Sequence, residues 1–267
     1  MSTGAASPIS PAVQALAEEL NTHLPLRHGD ERIVDPRFVV YLGAGTDPHF
    51  TVVQRLRLRA SETAEVVAQV RQLLFARGRR GATWEVGPST QPPSLAAELR
   101  RLGMRPDPRE SEVAGMVLLQ PPELAVPDDI IVERVESAAR LHQVQVIFSG
   151  CFGTPLSDED PRQAFARYQA SPSWRSYIAL KDGRPIAAAD ATFTAEAVVL
   201  SGGATLPALR RRGAYRALIA ARFRDALGRG TPILVTQAGR MSRPILARLG
   251  FSAIAQVQIF LDEMKDG

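Results

Sequence analysis

The segment from Ala204 to Leu218 constrains the fold of this chain more than any other part of the sequence. An apolar stretch ends in Thr205-Leu206-Pro207, three arginines follow at 210–212, and Gly213 precedes an alanine-rich stretch with helical spacing. This order predicts a strand, a loop and a helix. Amide groups at a helix start have no intrahelical acceptor, and the helix dipole adds partial positive charge. The segment therefore predicts a binding site for phosphate or pyrophosphate.

Gly213 and the arginines suit such a site. Glycine lets the backbone approach a ligand without a Cβ in the way. Guanidinium groups offer paired donors that match phosphate oxygens. An ordinary basic loop leading into a helix is the alternative interpretation. The position between an apolar strand and a helix start favours the anion site.

Four of these residues stand at the spacing of a known family pattern: Thr205, Pro207, Arg210 and Gly213. The pattern, Val-x-Pro-x-x-Arg/Gln-x-x-Gly-x-Gly/Ala, is that of the GNAT acetyltransferase superfamily, which the segment resembles. Tyr215 departs from it, because the family has Gly or Ala there. The segment 242–251 is similar to the family's closing helix, which ends in Leu-Gly-Phe.

The resemblance implies a coenzyme site. In the family the loop binds the pyrophosphate of acetyl-coenzyme A, and the strand before it pairs with the pantetheine arm. The resemblance thus implies acetyl-CoA as cosubstrate, held by Thr205, Leu206, Pro207, Arg210, Arg211, Arg212, Gly213, Ala214, Tyr215 and Arg216.

Composition narrows the class of protein. A chain of 267 residues, 45% of them hydrophobic and 22% charged, is typical of one or two globular domains. No apolar run approaches the ~20 residues that span a bilayer, and residues 1–11 lack the pattern of a secretory signal. One cysteine, Cys151, excludes an internal disulfide and a cysteine metal cluster, and the histidines show no metal spacing. We expect a cytoplasmic protein with no metal and no membrane partner.

The positive charge is local. Seven arginines lie between Arg210 and Arg229, with Asp225 as the only acid among them, whereas the whole chain carries a net charge of +4. A nucleic-acid-binding protein shows a broader basic surface with interleaved aromatic residues. Nucleic acid is therefore not the expected partner. If it were, affinity would fall steeply with salt and would not respond to coenzyme A.

The pattern of apolar residues predicts an α/β (α+β) protein with a mixed central sheet flanked by helices. The stretch 121–128, rich in proline and acidic residues, reads as a linker between a domain at 1–120 and a domain at 129–267. The first half predicts helices at 11–20, 62–75 and 94–102 and strands at 37–42, 50–58, 83–86 and 114–119. The second half predicts helices at 137–148, 160–169, 213–227 and 242–249 and strands at 130–133, 174–180, 185–193, 197–205, 232–237 and 255–261. This second order is that of the GNAT fold.

The first half repeats part of the second. Both contain a helix, a turn rich in arginine and glycine, a strand, a turn, a helix ending in Leu-Gly, and a strand; chance similarity between two α/β pieces is the alternative. The first copy has Arg57-Leu58-Arg59-Ala60-Ser61 where the second has its arginine-glycine loop. Because it lacks the glycine, we expect a degenerate GNAT-like unit that binds no coenzyme A and completes the sheet or walls the substrate groove.

Catalytic residues are less clearly marked. In many family members a tyrosine four residues before the Leu-Gly-Phe glycine protonates the leaving thiolate, and Leu246 stands there. Ser242 is the nearest hydroxyl, with helix capping as its alternative role. Asp190, in a predicted strand among alanines, and Glu196, near a strand start, are the candidate bases. The family can also deprotonate amines through ordered water. A main-chain amide at Leu206 or its neighbour would polarise the thioester carbonyl.

The sequence thus predicts an acetyl-CoA-dependent N-acyltransferase that acts by direct transfer in a ternary complex, as a monomer or homodimer. The acceptor is a primary amine, of a small molecule or of a protein. The competing hypothesis is a non-enzymatic module that binds acetyl-CoA or regulates, without a catalytic acid and base.

Overall fold

The computed structural model describes residues 9–122, 125–153 and 155–264. These divide into two compact units. The first unit comprises Met1–Met116, Gln237–Arg243 and Ala253–Gly267, and the second comprises Val117–Thr236 and Pro244–Ser252. Neither unit is a single continuous stretch of chain.

The first unit contains a mixed sheet with helices. Its helices are α1 (Pro11–Glu18), α2 (Leu20–His23), α3 (Thr63–Phe75) and α4 (Leu95–Arg101). Its strands are β1 (Glu31–Asp35), β2 (Phe38–Leu42), β3 (Thr51–Gln54), β4 (Gly81–Val86), β5 (Arg105–Pro106), β6 (Glu112–Leu118, whose last two residues cluster with the second unit) and β12 (Ser252–Glu263). They lie in the order β1-β2-β3-β4-β12-β6, with β5 beside β12. Trp84 and Phe260 are fully buried in its core.

The second unit repeats this construction. Its helices are α5 (Ala138–Phe152), α6 (Pro161–Gln169), α7 (Ala214–Gly228) and most of α8 (Arg243–Arg248). Its strands are β7 (Ile130–Arg134), β8 (Trp174–Lys181), β9 (Arg184–Phe193), β10 (Val198–Thr205) and β11 (Leu234–Ala238, whose last two residues cluster with the first unit), in the order β11-β10-β9-β8-β7. A core of residues from α5, α6 and the sheet includes Leu141, Tyr168, Ile178 and Ala204.

Capping and turn residues in the sequence explain where several helices and strands of the second unit begin or end. Ser137 caps α5 by accepting a hydrogen bond from the Arg140 amide, and Asp160 caps α6 in the same way from Arg162. α5 ends at Gly153, whose φ of 72° only glycine adopts without strain. The turn between β8 and β9 has positive φ at Asp182 and Gly183, as an Asp-Gly hairpin requires.

The last strand is the main difference from the sequence-based division. β12, which the pattern assigns to the second domain, pairs with β4 of the first unit from Gln258↔Val86 to Glu263↔Gly81. Its Phe260 belongs to the core of the first unit. An alternating apolar pattern specifies a strand but not the sheet it joins, because that choice depends on long-range packing. Of the predicted linker, Glu123 and Leu124 lie outside the described residues.

Strands of the first unit also differ from the predicted ones, β3 and β1 most clearly. β3 ends at Gln54, four residues before the predicted end, because Arg55 takes a positive φ of 55° that breaks the extended backbone. β1 was not predicted; its residues are largely exposed or half-buried and show no clear alternation.

Candidate functional site

β10 and β11 of the second unit are paired only near their starts. The parallel register covers Val198↔Leu234 and Val199↔Val235, and Thr236 Oγ1 donates to the Leu200 carbonyl beyond it. From Ser201 onward, β10 has no further paired residue on this side in the described register. The backbone groups of 201–205 that point away from β9 are therefore not paired with β11.

A bulge interrupts β10 at the same place. Its register with β9 shifts between Ser201↔Asp190 and Ala204↔Ala188, and Gly202 has a φ of 60°. The two glycines of the bulge face opposite sides of the sheet. A Cβ on Gly202 would meet the Phe148 ring of α5, and a Cβ on Gly203 would meet the Tyr215 ring of α7.

The main-chain amides after the bulge have separate roles. Leu206 N donates to the Ile186 carbonyl at 3.0 Å, so this amide is engaged with β9. Because successive N–H groups of a strand point in opposite directions, the Thr205 amide faces the open side. The sequence predicted that the amide of Leu206 or of its neighbour polarises the thioester carbonyl. Of these, the Thr205 amide is the one that points away from β9. Arg210 Nε donates to the Thr205 carbonyl at 3.2 Å, which holds its guanidinium at the end of β10.

The loop before α7 has an unusual backbone. Arg211 has a φ of 64° and Gly213 a φ of 91°, so two residues of the loop lie in the left-handed region. These two residues turn the chain sharply just before α7, whose first amides have no intrahelical acceptor and can bind an anion. The Cβ position of Gly213 lies 2.5 Å from Pro127 Cγ. Close packing against Pro127, as well as ligand approach, therefore requires glycine here.

The arginines of this loop are available for an anion. Arg210, Arg211 and Arg212 are exposed, and Arg216 reaches to 3.3 Å from the Cβ position of Gly213. In the described part of the chain, none of these four guanidinium groups forms an ion pair with a carboxylate. Ala214 is buried and begins the helix. The loop thus concentrates unneutralised positive charge at the start of a 15-residue helix.

Arg222 differs from the other arginines of the segment. Sequence reasoning counted it in the basic patch, but it is 1% exposed, and burial lowers its pKa. Its Nε donates to the Leu218 carbonyl and its Nη1 to the Asp190 carbonyl, at 3.0 Å each. Ala214, Leu218 and Arg222 are spaced four residues apart and so lie on one face of α7. This spacing is the sequence signal that could have indicated the burial of Arg222.

Asp190 lies beside the bulge. It is 7% exposed, and its Oδ1 accepts a hydrogen bond from Ser176 Oγ at 2.6 Å. Its Oδ2 lies 3.5 Å from the Cβ position of Gly202. Of the three catalytic candidates taken from the sequence, Asp190 is the one beside the open part of β10.

The other two candidates are placed differently. Glu196 is exposed in the turn before β10, about six residues from Gly202 of the bulge, a separation of roughly 20 Å along a strand; this placement argues against a catalytic role. Ser242 lies in the segment 237–243 of the first unit, and its hydroxyl donates to the Gly239 carbonyl at 3.4 Å. Leu246, at the position of the family's tyrosine, is 2% exposed.

In the first unit, the parallel strands β3 and β4 correspond to β10 and β11. Side chains and a loop fill the space beyond their paired residues. β3 and β4 also pair at only two positions, Val52↔Thr83 and Val53↔Trp84. Just beyond them, Gln54 Nε2 donates to Glu85 Oε2 at 2.9 Å. The loop then bonds to the segment after β4, because Leu58 N donates to the Gln91 carbonyl and Gln91 N to the Leu56 carbonyl.

Comparison with known proteins starts from negative results: no family model matches the sequence, and no curated protein matches it. Solved structures do match. A GCN5-related N-acetyltransferase from Kribbella flavida superposes with a TM-score of 0.68 at 20% identity, covering 96% of each chain. The chain has the GNAT fold. A tandem GNAT protein from the clavulanic acid biosynthesis pathway matches with a TM-score of 0.62 at 15% identity, over 99% of this chain and 91% of that one.

A third structure, a GCN5-related N-acetyltransferase from Sphaerobacter thermophilus, has a TM-score of 0.65 at 15% identity, over 86% of this chain and 78% of that one. The match to a tandem GNAT over nearly the whole chain extends the fold to the first half, as the internal repeat predicts. Among the described residues, no helix is long and apolar enough to cross a bilayer. Within the same residues, no cluster of three or more His, Cys, Asp or Glu could hold a metal ion.

Proposed function

We propose that the second unit binds acetyl-CoA and transfers its acetyl group to a primary amine, directly in a ternary complex. The observation that carries this proposal is the combination of a bulged, partly unpaired β10 with an arginine loop that starts α7. In a GNAT fold these two features serve the pantetheine arm and the pyrophosphate. Acyl transfer to an amine is the chemistry that such a site supports best.

The residues divide into two groups by the part of the ligand they suit. Amides of the loop and of the first turn of α7, with Arg211, Arg212 and Arg216, would hold the pyrophosphate. Backbone groups of β10 from the bulge to Thr205 would bond with the amides of the pantetheine arm. Arg210 is positioned by the Thr205 carbonyl to contribute to either part.

Acetyl-CoA supplies an activated thioester. The amine nitrogen bonds to the acetyl carbon, the carbon–sulfur bond breaks, and one proton passes from the nitrogen to solvent or a base while the thiolate gains one. Asp190 is the carboxylate that we assign as base, because it lies beside the bulge. The Thr205 amide is the donor suited to a developing oxyanion.

One observation favours a second candidate function. The family's tyrosine is replaced by Leu246, which is 2% exposed and has no proton to give. A module that binds acetyl-CoA without transferring its acetyl group remains the competing proposal. Both proposals require binding of acetyl-CoA, so a measurement of acetyl transfer is what distinguishes the enzyme from the binding module.

We further propose that the first unit binds no coenzyme A. Beyond β3 and β4 the space is occupied by the Gln54–Glu85 hydrogen bond and closed by the bonds to Gln91. The start of α3 carries Glu62, whose carboxylate accepts from the Arg59 amide and pairs with its guanidinium. A negative charge at that helix start opposes an anionic ligand.

Thermal denaturation tests the binding site. Acetyl-CoA at about a hundred times its Kd would stabilise the folded protein by about 2.7 kcal/mol, a rise of several degrees in Tm. Reversing two exposed charges, Arg211→Glu with Arg212→Glu, removes most of that rise through repulsion of phosphate. Gly213 is a poorer target, because any side chain there also meets Pro127.

Arg224→Glu is the matched control. Arg224 is exposed on the same helix, about 15 Å from its start, so the Tm rise should stay near that of the unchanged protein. An unchanged rise in the double variant would move the site elsewhere. Release of free thiol from acetyl-CoA across a panel of amines then tests transfer; binding without release would favour the non-enzymatic module.

A further inference from the structure

Tyr215 places a phenol on the strand that borders the opening in the sheet of the second unit. Its ring lies over Gly203, with Cε2 2.7 Å and Cζ 3.7 Å from the point where a Cβ on that glycine would stand. Gly203 belongs to the part of β10 that has no partner in β11 in the described register. The phenol therefore lies beside the backbone to which we assign the pantetheine arm and the thioester.

The hydroxyl of Tyr215 differs from those of the other tyrosines. The other three hydroxyls each bond to a carboxylate or to a main-chain amide: those of Tyr41, Tyr168 and Tyr177. Within the described part of the chain, no group bonds to the Tyr215 hydroxyl, and this oxygen is not sealed from solvent. Tyr215 as a whole is half-buried. Its proton is therefore not committed to another residue and can pass to a ligand on β10.

A buried cation lies near this phenol. Arg222 follows Tyr215 by seven residues, about two helical turns, and so lies on nearly the same face of α7. It is 1% exposed, and its Nη2 has no hydrogen-bond partner among the described residues. Burial raises the pKa of the Tyr215 phenol, and the charge of Arg222 opposes that rise. The phenol thus stays protonated at neutral pH, while a phenolate formed there is stabilised by a nearby positive charge.

The proposed reaction needs a proton donor that the closing helix does not supply. Leu246 stands where many members of the family have a tyrosine, and leucine has no proton to give. When the carbon–sulfur bond breaks, the departing sulfur carries a negative charge unless an acid protonates it. A positioned acid at this point lowers the barrier to transfer.

Resting on the proposed function, we propose that Tyr215 is the catalytic acid of acetyl transfer. The amine nitrogen bonds to the acetyl carbon, the electron pair of the carbon–sulfur bond passes to sulfur, and sulfur takes the phenolic proton. The phenolate, stabilised by Arg222, then regains a proton from solvent, so that the tyrosine is unchanged after each cycle. The residue that departs from the family pattern in the coenzyme loop thus replaces the one missing from the closing helix.

Tyr215→Phe tests this role in the full chain, because phenylalanine keeps the ring over Gly203 and removes only the hydroxyl. With acetyl-CoA and the amine of the panel that releases thiol fastest, kcat should fall roughly a hundredfold or more. The KM for acetyl-CoA, and the rise in Tm that acetyl-CoA causes, should stay unchanged, because the arginine loop is intact. Tyr41→Phe, at a half-buried tyrosine of the first unit, is the matched control and should keep its kcat.

A fluorinated tyrosine at position 215 gives a readout that a packing role would not move. Fluorine makes the phenol more acidic and changes its size little. Since an acid acts only while it holds its proton, the decline of kcat at alkaline pH should begin at a lower pH in the fluorinated protein than in the unchanged one. The same pH profile in both proteins would overturn the role of the phenol.

The outcomes separate this proposal from the proposed function. If Tyr215→Phe transfers acetyl groups as fast as the unchanged protein, Tyr215 is not the acid, and acyl transfer stands. If the variant loses the rise in Tm together with its activity, the tyrosine serves coenzyme binding, and its role as acid is overturned. If the unchanged protein binds acetyl-CoA but releases no thiol with any amine of the panel, transfer itself is overturned, and the acid role with it.

Discussion

At the residue scale, the bulge of β10 shows how one large side chain depends on a small one. Tyr215 stands where the family pattern has Gly or Ala. Its ring lies over Gly203, where a Cβ would be 2.7 Å from Tyr215 Cε2. The tyrosine is tolerated at the start of α7 because the strand beneath it carries no side chain at that position.

Gly203→Ala is therefore expected to destabilise the protein by about 1–3 kcal/mol, since the ring must move from a packed position. Combining it with Tyr215→Leu should remove much of that cost, so the two changes are not additive. Urea denaturation of the single and double variants measures this. Gly228→Ala, at a glycine with open space around it, should leave the free energy of unfolding unchanged. If the two changes lowered the free energy of unfolding additively, the contact between Gly203 and the Tyr215 ring would not explain the loss.

At the scale of elements, β12 is the strand whose partner the sequence does not reveal. Local pattern marks it as a strand, and its neighbours along the chain all suggest the second domain. Pairing with β4 and burial of Phe260 at 1% exposure place it in the first unit. The two units thus each depend on chain segments that lie far apart in sequence.

Phe260→Ala tests this assignment. Loss of the buried ring should cost about 3–5 kcal/mol, and amide hydrogen exchange should rise first in β4 and α3. Phe223→Ala, at a phenylalanine of α7 that is 4% exposed, should instead raise exchange in β9 and β10. If both variants loosened the same segments, the division into units would be wrong.

At the scale of the whole molecule, the buried carboxyl of Glu85 shapes stability against pH. Burial raises its pKa from 4.5 to about 7, although hydrogen bonds from Gln237 and Gln54 oppose the shift. The folded protein therefore keeps this proton up to about pH 7, whereas the unfolded chain loses it near pH 4.5. Stability from this group is full below pH 4.5 and is lost as the pH rises toward 7.

The predicted loss is about 3 kcal/mol over that window, because each pKa unit corresponds to about 1.4 kcal/mol. Glu85→Gln, which keeps the volume and stays neutral, should flatten the profile between pH 4.5 and 7. Urea denaturation at a series of pH values measures the difference between the two proteins. If the free energy of unfolding changed with pH in the same way in both proteins, the raised pKa of Glu85 would be contradicted.

The limits of sequence reasoning follow from the range of the interactions involved. The helices that begin near Ser137 and Asp160 and the strands on either side of Asp182-Gly183 lie close to their predicted positions, since a residue's own backbone preferences and its near neighbours decide them. The loop at 210–213 was predicted for the same reason. The hydrogen bond from Arg222 to the Asp190 carbonyl and the packing of Phe148 against the bulge were not predicted, because these contacts join residues from different helices and strands.

The sequence by itself determined the order of helices and strands, the repeat of one construction, and which copy carries an arginine-glycine loop. Only the tertiary structure decided which unit receives β12, which of two strand pairs stays open, and which acidic residue lies beside the bulge. The physical reason is the same in each case. Local backbone preferences are encoded residue by residue, whereas packing partners are selected by contacts between segments far apart in the chain.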